Sequence, residues 1–194
     1  MSVEDFNRLI RQRRSVFPKD YTGEKVDDNI ILQMLENANW APTHKLTEPW
    51  RFKVFCDRGL DKYAAYQAKD YHDKYYGTEK FLEKKYQKLL NNPLRCSHII
   101  SIGMHRDVES TLPEIEEIAA VACAVQNILL SIHANGLGGY WSTGGVTYSE
   151  SAKSFFDLGH HDTLLGFLYI GVINKLPEVS TRSSILEKVS WCKK

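Results

Sequence analysis

The longest ordered pattern in the chain lies between Pro113 and Ala134. Ile115, Ile118, Ala122, Val125, Leu129 and Ile132 recur three and four positions apart, the spacing of one helical face. The opposite side carries Ala119, Ala120, Val121, Ala124 and Leu130 where charges would be usual, which predicts a helix buried on both faces. Pro113 with Glu114, Glu116 and Glu117 suits its first turn: a missing N–H costs little there, and carboxylates meet the positive helix end. Asn135-Gly136 stops it. A glycine-rich loop, GLGGYWSTGG, is expected next. It fits a ligand site built on free backbone N–H groups, and equally a tight turn after a core helix.

The flanking patterns are shorter. Ser2 and Asp5 stand as a capping-box pair before a helix whose apolar face is Val3, Phe6, Leu9 and Ile10. That helix runs into Arg11-Gln12-Arg13-Arg14-Ser15, and Pro18 keeps Phe17 out of helical backbone. Tyr21-Thr22-Gly23 is a turn. Asp27 or Asp28 opens a second helix with Ile30, Ile31, Met34, Leu35 and Ala38, which ends before Pro42. Pro42 and Pro49 fix the loop from Trp40 to Trp50, which holds Thr43, His44 and Lys45. Alternation over 51–55 predicts a strand, 97–104 a second, and the apolar run 164–172 a third, buried on both faces. Residues 58–92 are helical, polar and rich in tyrosine, an outer helical pair and not core. Ser149 caps a further helix through Phe155 and Phe156, stopped at Gly159. Helices alternating with a few strands give an α+β class, or α/β with a mixed sheet. Length predicts one domain over 1–194, with 58–92 as a helical excursion.

Composition narrows the function classes. A hydrophobic fraction of 43% supports a real core, and 25 basic against 24 acidic residues give a net charge of +1. That balance makes no electrostatic case for nucleic acid or a membrane surface. No apolar run near 18 residues is free of charge, so no membrane span is expected, and the charged N-terminus lacks a signal-peptide core. Cys56, Cys96, Cys123 and Cys192 are scattered with no CxxC, and Cys123 reads as a small core residue. Cytoplasmic residence with reduced thiols is the simplest reading. Walker A, GxSxG and HExxH motifs are absent, and Trp141 stands where a dinucleotide fingerprint needs its third glycine. The histidines offer no second pair at ligand spacing, so no metal is expected, and His133 reads as a satisfied core residue. The most suggestive cluster is Arg11, Arg13 and Arg14 followed by Ser15, since guanidinium forks bind phosphate bidentately. The same residues also suit a solvated basic helix end.

Taken in order, several pieces resemble one family. They are RRS at 13–15, the APTHKxxxPW loop, AAxxAxQNILLxxxxxGLGGYW, the GFLYIG strand and an arginine in the tail. The set is similar to the FMN-dependent nitroreductase family, and the THK form of the loop to its small members. The resemblance implies an α+β intertwined homodimer, a mixed sheet flanked by helices, and two FMN sites at the subunit interface. By motif, Arg13, Arg14 and Ser15 match the first flavin contact, and Trp40 and His44 the second, with Trp40 a candidate to act from the partner subunit. Trp141, Ser142 and Thr143 match the third, and Arg182 matches a tail position that holds the FMN phosphate. Phe17 departs from the Arg or Lys that many members carry there, and 60–92 offers no transferable specificity pattern. The implied reaction is ping-pong: NAD(P)H passes hydride to FMN N5 and leaves, and a nitroaromatic, quinone or enone takes its place. Arg13 or Arg14, and more weakly Lys45, is the candidate cation at the flavin N1–C2=O edge. No catalytic acid is assigned. A rival class is a flavin-binding redox-responsive or carrier protein without turnover, whose tyrosine-rich segment would close over the ring. A third is a structural interaction module.

Overall fold

The computed structural model describes residues 2–109, 111–178 and 180–193. Four strands, β1 (Trp50–Cys56), β2 (His98–Met104), β3 (Gly138–Ser142) and β4 (Thr163–Gly171), form one sheet in the order β1-β2-β4-β3. All neighbours pair antiparallel, and a parallel bridge from Ser15 to Gly139 gives the β3 edge a mixed character. Five helices flank it: α1 (Val3–Gln12), α2 (Asp28–Asn39), α3 (Arg58–Tyr75), α4 (Glu83–Asn91) and α5 (Glu114–Ala134). The α+β class expected from the sequence is the class found.

Strand alternation divides the core in two. Ile100, Ile102, Leu168 and Ile170 face α2 and α5, where Val121, Ala124, Val125 and Ile128 meet them. Ile99, Phe167 and Tyr169 face the other way, onto Tyr63 and Phe156. Tyr63 on α3 is 0% exposed, so α3 is a core helix and not the outer element its polar sequence suggested. Its phenol lies 2.7 Å from that of Tyr169, and burial pushes it well above its ordinary pKa. α4 buries no residue and is the outer partner. The segment Glu150–Phe156 is a 3-10 helix ending at left-handed Asp157, two residues before the glycine expected to stop it.

The expected loop after α5 begins as strand β3. Its glycines work by close packing: a Cβ on Gly138 would stand 2.6 Å from Ile173, and one on Gly139 3.0 Å from Ile132. Glycine in a strand often marks such an approach, and in sequence it looks the same as a turn signal.

α5 buries Glu117, Ala120, Val121, Ala124, Val125, Ile128 and Ile132. The stripe is therefore rotated from the one read off the sequence. Ile115, Ala119 and Cys123 are exposed, because the sheet and α2 cover only one side. α5 also has the length and mean hydropathy, 1.6, of a membrane span, contrary to the expectation that no segment would. Its buried residues lie against the sheet and α2, and a carboxylate sits among them. Glu117 is 1% exposed and accepts from Arg106 Nη1 and from the Asp107 N–H. Arg106 Nη2 also donates to the Leu112 carbonyl at 2.7 Å, which ties the start of α5 to the preceding loop. Breaking a buried pair from one side leaves the other charge uncompensated. Glu117→Ala is expected to cost about 3 kcal/mol or more in urea unfolding, and Asp73→Ala, on a pair exposed at both ends with Lys69, to leave the unfolding midpoint nearly unchanged.

Candidate functional site

The chain leaves α1 at Arg13, whose backbone turns to φ −55 and ψ 130 while its N–H still bonds the Leu9 carbonyl at 3.2 Å. This exit lays Ser15 and Val16 along β3, with the Val16 N–H donating to the Gly139 carbonyl at 3.0 Å. Arg13 and Arg14 are half-buried. Arg14 Nη1 donates to the carbonyls of Arg11 (2.6 Å) and Arg13 (2.8 Å), and its buried Nε has no partner. Burial lowers the pKa of the Arg13 guanidinium, and the like charges of Arg14 and Arg182 push the same way. Arg182, from the far end of the chain, is thus within electrostatic reach. Its Nη1 bonds only Ser180 Oγ and the Thr181 carbonyl, at 2.8 and 2.9 Å. Among the described residues none of these three arginines is in an ion pair.

His133 joins this cluster. Burial first, then Arg13 and Arg14, lower its pKa below the ordinary 6.5. It was expected as a core residue, and it is a half-buried imidazole whose charged form burial and the neighbouring cations disfavour. No sequence spacing links it to Arg13; its place near the end of α5 is the one available signal. Three guanidiniums, no carboxylate partner and an orphaned buried donor are the complement of a phosphate-like anion.

β3 leads away from this point. Gly139 to Thr143 spans about 13 Å of strand. Trp141 turns toward α5, beside Ile118 and Ala122, and its Nε1 donates to the Leu165 carbonyl at 3.1 Å. Ser142 and Tyr140 face the opposite side, where Tyr140 packs on Phe17 with ring centroids 4.6 Å apart. A cavity of 700 Å³ opens there, lined by Phe17, Tyr140 and Ser142 on one wall and Gln67, Lys85 and Lys88 of α3 and α4 on the other. Thr143 and Trp141 border a second cleft of 440 Å³. Gly166, at φ +123, makes room for β3: a Cβ would lie 2.3 Å from the Ser142 carbonyl oxygen.

Trp40 and His44 come from the end of α2 and the loop after it, and Trp40 borders a hollow with Phe6 and Leu9 of α1 and Ser131 and Ala134 of α5. Trp40 is 80% exposed at the end of α2, with its Nε1 donating to Glu36 at 3.2 Å. His44 Nδ1 is 2.6 Å from Glu116 Oε2. Lys45, Leu46 and Glu48 adopt positive φ (53, 55 and 43), a strain typical of ligand clamps. The loop enters β1, the edge opposite β3 and about 14 Å from it. Along α5, Glu116 and His133 are about 26 Å apart. One chain therefore gathers Arg13, Arg14 and Ser15 at the root of β3 with Arg182 within electrostatic reach, and leaves His44 beside Glu116 at the far end of α5.

Residues 10–172 match the sequence model of the nitroreductase family. The chain belongs to that family. It is similar to YfhC of Bacillus subtilis, a protein named for NAD(P)H nitroreductase activity. The two are 29% identical over 185 residues, covering 93% of this chain and 90% of that protein. Its fold is similar to the crystal structure of a nitroreductase-like family protein from Bacillus cereus. The TM-score is 0.86 and the identity 27%, over 100% of this chain and 99% of that one. A nitroreductase-type protein of Desulfovibrio desulfuricans, crystallised with FMN, shares the fold at a TM-score of 0.70 and 24% identity, over 97% and 96% of the two chains.

In this nitroreductase-family chain His133 reports on the arginine cluster. Its folded pKa lies below that of the unfolded chain, so it subtracts stability from the anion-free protein as pH falls below about 6.5. A bound anion offsets the arginines. NMR titration should therefore show the His133 pKa rising when inorganic phosphate or FMN is added. An unmoved pKa would mean that the anion binds elsewhere.

Proposed function

We propose that this protein is an FMN-dependent oxidoreductase that works as a homodimer, oxidising NAD(P)H and reducing a small acceptor. The observation that carries the reading is the buried Arg14 Nε that lacks a partner, in a half-buried arginine pair that forms no ion pair among the described residues and has Arg182 within electrostatic reach. The residues present fit a flavin phosphate. Arg13, Arg14 and Arg182 hold it, and the Ser15 hydroxyl stands beside them. Trp141, Ser142 and Thr143 border the ring end. FMN, when bound, supplies the centre through which NAD(P)H electrons reach a nitroaromatic, quinone or enone.

Trp40 and His44 are assigned to the partner subunit's flavin. For His44 the separation of about 14 Å between the edge strands supports this, for Trp40 the 80% exposure of its ring does, and the uncovered side of α5, with Ile115, Ala119 and Cys123, offers the surface. A permanent interface on that side would bury roughly 2,000 Å² or more. Segment 58–92 takes the role of the far wall of the acceptor cleft. Because that cleft is open at 700 Å³, the reading favours turnover over a carrier closed above its ring. Donor and acceptor use it in turn, a ping-pong order.

Purified protein loaded with FMN should be yellow, bleach with NADH or NADPH without oxygen, and recover its colour with a quinone or nitroaromatic. Yellow protein that neither donor bleaches would support the carrier instead. The phosphate assignment has its own test. Arg182→Ala should raise the FMN dissociation constant at least about tenfold, or roughly 1.4 kcal/mol, and hardly change riboflavin binding. Equal losses for both flavins would move Arg182 from the phosphate to the ring or the fold.

A further inference from the structure

Three side chains that the flavin reading leaves unused meet near the opposite edge of the sheet. Cys56 and His98 are cross-strand partners at the ends of β1 and β2. Asp28, the first residue of α2, reaches the same point, with its Oδ1 3.0 Å from His98 Nε2. The imidazole nitrogen, the thiol sulfur and a carboxylate oxygen all lie within 4.8 Å of one another. This is the one such gathering among the described residues, and its members come from three distant parts of the chain, so no sequence spacing announces it.

The surroundings are those of a metal ligand set. His98 is buried, and its Nδ1 lies 2.9 Å from Ser97 Oγ, which accepts the Val26 N–H at 2.7 Å. A hydroxyl bonded to the far nitrogen fixes the ring, so that Nε2 points outward to Asp28 and Cys56. With a metal on Nε2 the neutral ring keeps its one proton on Nδ1, which donates a hydrogen bond to Ser97 Oγ, and any displaced proton leaves to solvent. Zinc bonds of about 2.3 Å to sulfur and about 2.0–2.2 Å to nitrogen and oxygen put tetrahedral ligands about 3.5 Å apart. The Asp28 side chain is 81% exposed and can rotate to close that gap. Lys25 and Asp57, the charges flanking Cys56, pair with each other.

We propose that Asp28, Cys56 and His98 bind a zinc-class divalent cation, with water in the fourth position. One thiolate, one imidazole and one carboxylate select a borderline-soft metal over Mg²⁺ or Ca²⁺. The bound ion ties the start of α2 to β1 and β2, and stabilises the fold by mass action. The site is separate from the arginine cluster. Cys56, His98, Ile170, Gly139 and Ser15 follow one another across the strands, about 19 Å from end to end.

The test is a Co²⁺ titration of the full-length protein with reduced thiols. It should show one equivalent bound, tetrahedral d–d bands and a thiolate-to-cobalt charge-transfer band, all displaced by Zn²⁺. Cys56→Ala should abolish the charge-transfer band, and Cys192→Ser, at an exposed thiol, should retain it. His98 is buried and its variants risk misfolding, so Asp28→Asn is the companion: it should weaken Co²⁺ at least tenfold with an unchanged thermal midpoint in EDTA. No band in the parent protein, a band that survives Cys56→Ala, or unchanged affinity in Asp28→Asn would each overturn the proposal.

Discussion

The contact on which the rest of this structure depends is the packing of α5 against the sheet. Ala120 and Ala124 let the helix come close, and Val121, Val125, Ile128 and Ile132 fill the space between. Each large aliphatic side chain buried there contributes about 1.5–3 kcal/mol. The contact also sets position. At one end of α5 the Glu117–Arg106 pair fixes the preceding loop; at the other the chain turns at Asn135-Gly136 straight into β3. β3 then lies where two glycines allow it, and Ser15 bridges to Gly139. The arginine cluster hangs on that bridge, so the site's geometry follows from the core.

The site itself runs against stability. Like charges crowd Arg13, a buried donor on Arg14 goes unpaired, and the His44 loop holds three residues in left-handed backbone. Each of these is a local cost that the α5–sheet core has to offset, and such costs gather where a ligand completes the structure. An anion between the guanidiniums would relieve the first two. The third lies at the other end of α5, next to a helix face that none of the described residues covers. Both the charge and the uncovered surface point to a fold completed by something outside one subunit.

Much of the fold was legible along the chain. The Ser2–Asp5 capping box makes both of its bonds, at 3.1 Å each, and Asp27 caps α2 through its side chain. The apolar run of β4 is a central strand. The phosphate chemistry of Arg13, Arg14 and Ser15 was visible as a cluster, and Arg182 was visible only through the family resemblance. β3 was misread because glycine serves turns and close packing alike. Tyr63 was misread because α3 is polar on average while its buried face is not.

The sequence by itself determined the five long helices, three of the four strands, the caps at Ser2 and Asp27, and that a run of arginines near the N-terminus could take an anion. These are set by neighbours within a turn or two, through backbone hydrogen bonds and side-chain periodicity. The tertiary structure alone decided which face α5 buries, that His133 and Arg182 come within electrostatic reach of Arg13, that His44 stands apart from them, and that Asp28, Cys56 and His98 converge. Those outcomes depend on packing between segments tens of residues apart. Burial, charge and ligand geometry are properties of that packing, and no local pattern encodes them.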